Sequence, residues 1–423
     1  MLDIKFIREN AELINEAARK KHIDFDVAKL LKADSLRLKI LKEVEEMRAK
    51  QNTASDNIVK IQDAEQKQMA IVEMKKLKEK LLARVEDLRK ANDAWREMMF
   101  QVPNIPHISV PEGGSDAQNV ETKTWGKIPD FKKHGFEPKG HIELMQKLKM
   151  IDLGRGVKVS GFRGYFLKGD GVLLSLALVQ FVLDKIASEG FEPFIAPSMV
   201  KEENLVGTSY LPQAKDEIYS TQDDLFLAGT AEVAMMGMCK DEIFKAEELP
   251  KKMVAFSPCF RREAGSYGKD TKGLVRVHEF YKVEQVVICE ASHEESVKWH
   301  EKVTENAEKI MQELEIPYRI VLICGGDLGL GQVKKYDIEA WVPSENKYLE
   351  THSSSYFHDF QTRRLNIRYQ DKNGKLHFAH SLNNTAIATP RILVPLVENY
   401  QQADGSVLVP KVLREYIGKE KIS

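Results

Sequence analysis

Apolar residues follow a helical spacing along most of the first hundred positions. In the later part of this region the repeating positions lie three or four residues apart, with one polar member, at Leu77, Leu81, Val85, Leu88, Asn92, Trp95 and Met99. Nearer the N-terminus a similar pattern runs through Leu31, Leu38, Leu41 and Val44. The pattern predicts a short helix over about 3–20 and long helices over about 26–58 and 66–100, folded back as an antiparallel coiled-coil hairpin.

The same region lacks the residues that interrupt helices. The first proline in the chain is Pro103 and the first glycine is Gly113. The segment VPNIPHISVPEGG (102–114) then ends the helical pattern, because prolines and glycines break helices. We therefore predict a helical arm over 1–102, a stiff linker over 103–116 and a second domain over 117–423, for which the motifs below imply catalysis.

Beyond the linker, strand-like runs separated by turns replace the helical pattern. They are GYFLKG (164–169), PFIAP (193–197), MVAFSP (253–258), YKVEQVVIC (281–289), YRIVLIC (318–324), YDIEAWVP (336–343) and LNIRYQ (365–370). Helical segments intervene, as at about 172–189 and 293–314. Because the strands succeed one another with few crossover helices, the predicted fold class is α+β, with a mainly antiparallel sheet flanked by helices.

Composition and charge are those of an ordinary soluble globular protein. Of the 423 residues, 43% are apolar and 30% are charged, and the formal net charge is −1. A surface that binds nucleic acid must therefore arise from local charge asymmetry. No window approaches the roughly 18 continuous apolar residues of a membrane span, and no signal peptide is visible. We expect a cytoplasmic protein that has no membrane partner.

Common metal and nucleotide motifs are absent from the sequence. The four cysteines, Cys239, Cys259, Cys289 and Cys324, are too far apart for a zinc knuckle, so no zinc is expected. There is no P-loop motif. GGDLGLGQ (325–332) has a Gly-x-Gly spacing, but it lacks the full dinucleotide-binding fingerprint. If the protein binds ATP, it does so by another route.

The segment FRREAGSYGKDTKGLVRVHEF (260–280) combines cations with three glycines. If 256–263 and 275–286 pair as antiparallel strands, side chains near the base of this hairpin converge on one face. Arg261 then offers a bidentate fork to a phosphate, Glu263 an acceptor for an amine, and Phe280 a ring that stacks under a purine. Spacing alone leaves open a charged hairpin with one core aromatic residue.

Five segments in a fixed order carry a family resemblance. They are FEPFIAPSMV (191–200), GTAEV (229–233), FRREAGSYGKDTKGLVRVHEFYKVE (260–284), YLETHSSSYFHDFQTRRLNIRY (348–369) and SLNNTAIATPRILVPLVENYQQADGSVLVPKVLREYIG (381–418). In that order they resemble motif 1, the serine-binding Thr-Ala-Glu loop, motif 2, the metal-binding segment and motif 3 of class II aminoacyl-tRNA synthetases, in the form found in seryl-tRNA synthetases. The predicted hairpin matches that family's tRNA-binding arm, so the resemblance spans essentially the whole chain.

The resemblance implies a two-step reaction. Serine carboxylate attacks the α-phosphate of ATP to give seryl-adenylate and pyrophosphate, and the seryl group then moves to the terminal ribose of tRNA(Ser). Whether tRNA(Sec) is also charged stays open. Neither step needs a protein nucleophile, because alignment and charge neutralisation supply the catalysis.

The resemblance also assigns the ATP site. Arg261 would contact the α-phosphate, Arg276 the bent triphosphate and Arg391 the γ-phosphate. Glu263 would meet the adenine amine, the Val277 backbone would help to hold the base, and Phe280 would stack on it. Glu350 and Ser353 would coordinate Mg²⁺, which prefers oxygen ligands. Arg261, Arg391 and Glu350 are the implied catalytic residues, and the rest of the implied ATP site comprises Arg262, Thr351 and His352.

The L-serine site is implied at three places in the sequence. The Thr-Ala-Glu loop supplies Thr230, Ala231 and Glu232, the end of motif 2 supplies Glu284, and the start of motif 3 supplies Asn383 and Thr385. Carboxylates suit the ammonium and hydroxyl groups of serine. A site that hydrogen-bonds a substrate hydroxyl strongly disfavours the analogue that lacks it, which here is alanine.

Macromolecular partners follow from the same resemblance. The arm is expected to grip tRNA(Ser) by shape and backbone. The residues expected to contact tRNA phosphates are Lys75, Lys76, Lys78, Lys80 and Arg84. On charge alone, a solvated face explains their cluster better than phosphate binding does. Motif 1, through Pro197, implies a homodimer.

Some positions depart from the family pattern, notably Asn384 and Pro390, but every residue with an assigned polar role is present. Two alternative functions stay open on the sequence. One is an amino-acid activator with an acceptor other than tRNA, which loss of the arm would favour. The other is a non-catalytic RNA-binding homologue, which loss of Arg261, Glu350 or Arg391 would favour.

Overall fold

The structure, a computed structural model, describes residues 1–265 and 273–423. These residues form two compact units. The first comprises Met1–Arg19 and Ile23–Pro103, and the second comprises Lys20–His22 and Asn104–Ser423. The tripeptide Lys20–His22 therefore belongs to the second unit, although its neighbours in sequence belong to the first.

Helices account for nearly all of the first unit. They are α1 (Ile4–Glu9), α2 (Ala11–Lys20), α3 (Val27–Lys60) and α4 (Ala64–Gln101). The predicted opening helix is divided in two at Asn10, whose side-chain amide donates to the Phe6 carbonyl and competes with the helical backbone. The two long helices extend two residues farther toward each other than predicted, to Lys60 and from Ala64, so the turn between them is shorter than predicted.

Three aspartates and an apolar seam explain why the hairpin forms. Asp3, Asp26 and Asp63 each precede a helix and accept a hydrogen bond from a backbone amide in its first turn. Along the α3–α4 seam the buried residues are Ile40, Val44 and Leu81, with Met47, Val85, Leu88 and Ala91 packed around them. Val44, Leu81, Val85 and Leu88 of the predicted stripe therefore lie in this core, whereas Leu38 is 42% exposed and Ile40 is buried instead.

The second unit contains nine described helices and eighteen described strands. The helices are α5 (His141–Lys147), α6 (Leu153–Ser160), α7 (Asp170–Ser188), α8 (Glu202–Gly207), α9 (Ala231–Met238), α10 (His293–Glu313), α11 (Phe360–Leu365), α12 (Leu393–Asn399) and α13 (Arg414–Ile417). The first nine strands are β1 (Val120–Trp125), β2 (Ile151–Asp152), β3 (Phe166–Leu167), β4 (Glu192–Ile195), β5 (Met199–Lys201), β6 (Tyr219–Ser220), β7 (Leu225–Leu227), β8 (Ile243–Lys245) and β9 (Lys251–Phe260). The others are β10 (Glu279–Cys289), β11 (Tyr318–Leu322), β12 (Lys334–Val342), β13 (Lys347–His358), β14 (Arg368–Gln370), β15 (Leu376–Phe378), β16 (His380–Thr389), β17 (Val407–Leu408) and β18 (Lys421–Ile422).

One large sheet organises this unit and confirms the predicted fold class. Its strand order is β1-β11-β12-β13-β16-β10-β9-β4. Neighbouring strands run antiparallel except for β4 and β9, which are parallel. Helices α7 and α10 pack on the sheet and against each other. Their apolar side chains join those of the sheet in one buried core.

Two irregularities in the sheet lie beside sequence-predicted site residues. Between β12 and β13, Ile338 pairs with His352 but Glu339 pairs with Glu350, so Thr351 is an extra residue. Between β10 and β16, Val283 pairs with Ile387 but Glu284 pairs with Thr385, so Ala386 is extra. Such bulges re-aim the side chains next to them and are common beside active sites.

The predicted hairpin of motif 2 forms, but both strands end farther from the loop tip than the sequence suggested. β9 and β10 pair antiparallel, from Phe260 opposite Glu279 to Lys251 opposite Ile288. Arg261 and Arg276 therefore lie just beyond the strand ends. The glycines of this segment predict that the tip of the loop moves. The tip, residues 266–272, lies outside the described residues.

Helix α7 is the one described helix that is long and apolar enough to cross a membrane by length and composition. The sequence of α7 has no unbroken apolar run of that length, because polar and charged residues interrupt it. Half of its most apolar window is buried inside the protein. Core helices pass the same test, so a membrane span does not follow.

Candidate active site

A cavity of about 230 Å³ opens in the second unit, where β9, β10, β13 and β16 approach one another. Twelve of the sequence-predicted residues line it. They are Glu232, Arg261, Glu263, Val277, Phe280, Glu284, Glu350, Thr351, Ser353, Asn383, Thr385 and Arg391. Residues from four separate sequence motifs therefore meet around one space.

Five predicted residues do not line the cavity. Thr230 caps α9, where its hydroxyl accepts from the Glu232 amide, and Ala231 is buried in that helix. Arg262 is exposed, and its backbone amide donates to the Glu217 carbonyl. His352 is buried, with its Nδ1 2.8 Å from the Thr351 hydroxyl. Burial lowers the pKa of His352 to about 4, so its ring is neutral at pH 7.

Arg276 lies outside the lining but close to it. Its guanidinium is 3.2 Å from Oε2 of Glu263, which holds that carboxylate at the rim. Arg276 also contributes to lowering the pKa of Glu350. Its charge therefore acts on the cavity.

Glu232 is a buried carboxylate held by two donors. Its Oε1 accepts from the Gln361 amide at 2.7 Å, and its Oε2 accepts from the Tyr210 hydroxyl at 3.0 Å. Burial raises the pKa of Glu232, and the charge of Glu284 adds to the rise, while the two hydrogen bonds oppose it. The charge of Lys282 also opposes the rise, but among the described residues no basic side chain forms an ion pair with Glu232, so this pre-oriented carboxylate suits a ligand that brings an ammonium group.

Glu284 forms a second acidic position on β10. Its Oε2 lies 2.7 Å from Nζ of Lys282, and both side chains are buried. The Thr385 hydroxyl on β16 donates to the same oxygen at 3.2 Å. Lys282 and Glu284 are two positions apart on one strand, so they share a face of the sheet.

Arg261 lies across an aromatic ring. Its guanidinium carbon is 5.3 Å from the centre of the Phe280 ring, and its Nη2 donates weakly to the Gly229 carbonyl at 3.5 Å. A side-chain carbon added at Gly229 would lie 3.3 Å from the Arg261 side chain. A larger residue at 229 would therefore crowd the arginine.

Glu350 faces the cations of the cavity. Partial desolvation raises its pKa, but neighbouring positive charges lower it by more, and the net direction is downward. In order of effect these cations are Lys335, Arg391, Arg261 and Arg276. Nη1 of Arg391 lies 3.9 Å from the Glu350 carboxylate, and its Nε donates to the Val275 carbonyl at 2.9 Å. Glu350 is therefore ionised at pH 7 in a positively charged surrounding.

Several lining residues were not predicted from the sequence. Lys282 had a usable signal, because it alternates with Glu284 inside an otherwise apolar strand. Tyr210 lies in a turn between two motifs, where no pattern marks it. The loop Gly329–Gln332 also lines the cavity, although its glycines had failed as a dinucleotide fingerprint.

The arm residues were predicted as a group, and the structure divides them. Lys75, Lys76, Lys78 and Lys80 on α4 are exposed. Arg84 is half-buried and forms ion pairs with Glu43 at 2.5 Å and Asp87 at 2.9 Å. Arg84 is thus engaged within the hairpin.

Comparisons with known proteins agree along the full chain. Residues 1–106 match the seryl-tRNA synthetase N-terminal domain, and residues 216–400 match the tRNA synthetase class II core domain (G, H, P, S and T). Serine–tRNA ligases from Deinococcus radiodurans and Caldicellulosiruptor saccharolyticus are 46% and 43% identical to it. The alignments cover all of this chain and 99% and 100% of those relatives.

Solved structures give the same result. A crystal structure of seryl-tRNA synthetase from Pyrococcus horikoshii complexed with ATP superposes with a TM-score of 0.90 at 40% identity. The cytoplasmic serine–tRNA ligase from Naegleria fowleri in complex with AMP superposes at 0.86 and 32%. Each alignment covers 100% of this chain and 99% of the other.

Proposed function

Since the chain belongs to the seryl-tRNA synthetases of class II, we propose that its cavity joins L-serine to ATP and that the seryl group then passes to tRNA(Ser). The observation that carries the residue assignment is the meeting of twelve residues from separate motifs around one cavity. Arg261 and Arg391 supply positive charge there, and Glu232 and Glu284 supply buried negative charge.

Arg261, Arg276 and Arg391 are proposed to hold the triphosphate. Their mutual proximity is reflected in their joint effect on the pKa of Glu350. Such donors stabilise the charge that develops on phosphorus as the serine carboxylate attacks. The adenine ring is proposed to stack on Phe280, with Glu263 accepting from its amine.

Glu232 and Glu284 are proposed to hold serine. Glu232 is buried and lacks a basic partner among the described residues, so it suits the serine ammonium. Glu284, with Thr385 beside it, suits the serine hydroxyl. Alanine keeps the ammonium group but lacks the hydroxyl, so it would lose the contact with Glu284 and Thr385, which makes discrimination against it large.

Mg²⁺ is proposed to bind at Glu350 and Ser353. Among residues 1–265 and 273–423, no group of three histidine, cysteine or acidic side chains could hold a metal. A carboxylate and a hydroxyl on one strand fit Mg²⁺ nonetheless, because this ion takes few protein ligands and completes its shell with water and substrate phosphates. When bound, it would neutralise phosphate charge.

The partners are proposed at a coarser level. The exposed lysines of α4 suit contact with tRNA phosphates. Around motif 1, large apolar side chains are exposed, among them Leu173, Leu176, Ile195 and Met199, and Pro197 is exposed too. Such a patch favours a homodimer. We place the protein in the cytoplasm, where its tRNA is.

The deciding experiment is ATP–pyrophosphate exchange with each amino acid in turn, with Mg²⁺ and without tRNA. We expect exchange with serine, and alanine at least about 10⁴-fold less effective in kcat/KM. Charging of tRNA(Ser) then tests the acceptor. Exchange without charging would favour an acceptor other than tRNA. Absence of exchange with every amino acid, with or without tRNA, would overturn the proposal and leave the non-catalytic homologue.

A further inference from the structure

Lys21 is a buried lysine with an unusual set of partners. It follows α2, and only 3% of its surface is exposed. Its Nζ donates to the carbonyls of Gly329, Leu330 and Gln332, at 3.0, 2.9 and 2.6 Å. Among residues 1–265 and 273–423, no carboxylate pairs with it. Burial lowers the pKa of Lys21 well below its usual value, and burying such a polar group is costly unless its hydrogen bonds are made, so the three carbonyls stabilise the lysine here.

The loop that Lys21 holds is a wall of the cavity. Residues Gly329–Gln332 all line it. Asn104, which is also buried, bonds the same loop: its backbone amide donates to the Leu330 carbonyl and its side chain to the Gly331 carbonyl, both at 2.9 Å. Four successive carbonyls are thus bonded by Lys21 and Asn104, while the loop presents its other side to the cavity.

This wall borders the part of the cavity that we assign to serine. A side-chain carbon at Gly331 would lie 3.0 Å from the Ser209 hydroxyl, and the adjacent Tyr210 donates to Glu232. On the sheet side, the Gln332 amide donates to the Ser355 hydroxyl at 2.9 Å. Ser355 pairs in register with Asn383 on β16, a predicted serine-binding residue.

We propose that Lys21 is a positioning residue for serine recognition, which acts by fixing loop 329–332 against Ser209 and Ser355. We call the hydrogen bonds from Lys21 to loop 329–332 the clamp. The inference rests on the proposed function for the identity of the substrate, but not for the clamp itself. It also gives a site residue to a segment that the sequence assigned to the tRNA-binding arm.

The test compares Lys21→Met with Lys21→Arg in the full chain. Methionine keeps the length of the side chain and removes its donors, whereas arginine keeps donors and charge. Lys29→Met is the matched control, because that side chain is 77% exposed on α3 and has only a 3.8 Å contact with Asp26. We expect Lys21→Met to raise the KM for serine at least tenfold in pyrophosphate exchange and the KM for ATP less than twofold. Lys21→Arg should recover part of the loss, and the control should match the wild type.

Hydrogen exchange of the backbone amides of 329–333 provides a second readout that needs no substrate. The clamp predicts faster exchange there in Lys21→Met, with global stability retained. If Lys21→Met does not fold, Lys21→Arg and Asn104→Ala are compared by the same exchange measurement. Unchanged exchange and unchanged serine KM would overturn the proposal, as would an equal rise in both KM values. If the wild type activates no serine but the loop still loosens, the clamp stands and the proposed function fails.

Discussion

At the scale of single residues, Arg261 lines the cavity and is held in place by two contacts. Its guanidinium rests over the Phe280 ring, and its backbone amide donates to the His278 carbonyl at 3.0 Å, across the open end of the β9–β10 hairpin. The side chain is therefore held near the cavity before any ligand arrives. Restraint of this kind lowers the cost of ordering the group during catalysis.

We expect Arg261→Ala to lower kcat/KM for pyrophosphate exchange at least a hundredfold, about 2.7 kcal/mol of transition-state stabilisation. Affinity for tRNA, measured by filter binding, should stay within about threefold. Arg155→Ala is the control, because that side chain is 79% exposed. A parallel loss of tRNA binding and thermal stability would instead indicate a folding defect.

Glu232 gives a pH-dependent prediction. Burial raises the pKa of Glu232, so serine binding, which needs the carboxylate, should be lost as pH falls through that raised value. The contribution of Glu232 to the stability of the fold depends on pH in the opposite direction and falls as pH rises. The native state holds this proton more tightly than the unfolded chain, so ionisation of Glu232 costs stability above its folded pKa.

Glu232→Gln should therefore raise the KM for serine at least tenfold at pH 8. The stability of the variant relative to the wild type, measured as the difference in the free energy of unfolding, should be greater at pH 8 than at pH 4. Denaturation at the two pH values measures this difference. A relative stability that does not change with pH would contradict the raised pKa. Thr230→Val, which removes the helix cap without touching the carboxylate, is the control for the stability series.

At the scale of elements, the sheet places the site through its irregularities. Thr351 and Ala386 are extra residues in β13 and β16, and each lies next to predicted ligands of ATP or serine. Regular strands would turn Glu350 and Ser353 to opposite faces, because they are three positions apart. The bulge between them lets both line the cavity.

The hairpin of α3 and α4 carries its own prediction. Replacement of residues 30–97 by a short Gly/Ser linker keeps Lys20–His22, so serine-dependent pyrophosphate exchange should stay within about threefold of the wild type. Charging of tRNA(Ser) should fall at least a hundredfold, because the exposed lysines of α4 are lost. Efficient charging by the shortened protein would refute the role proposed for the arm.

Sequence patterns predicted the helices and strands better than they predicted the contacts between side chains. Helical spacing located α3 and α4, and family motifs located most of the cavity lining. They missed Tyr210 and Lys21, because each acts through a partner that is distant in sequence. They also missed Lys282, although it alternates with Glu284 inside an otherwise apolar strand. They also left Arg262 with a role, although its side chain faces solvent, since residue type alone does not give direction.

At the scale of the whole molecule, the exposed apolar residues near motif 1 are the main feature that one chain leaves unexplained. Ile195 is 84% exposed on β4, and Leu176 is 58% exposed on α7. A charge placed there should oppose association, because apolar burial drives most stable interfaces.

Ile195→Asp should shift the mass measured by light scattering from that of a dimer toward that of one chain at micromolar concentration. Ile108→Asp, at a position that is 92% exposed in the linker, should leave the mass unchanged. A wild-type protein with the mass of one chain would remove the proposed dimer.

The contact between Lys21 and loop 329–332 has a consequence for synthesis on the ribosome. Lys21 and Gly329 are 308 residues apart in sequence. At about 5–20 residues per second, the nascent chain carries an unpartnered Lys21 for on the order of 15–60 s before its acceptors emerge. The second unit therefore cannot close around that lysine until most of the chain has been made. One of the earliest residues translated thus fixes a loop of the cavity that is among the later parts to emerge.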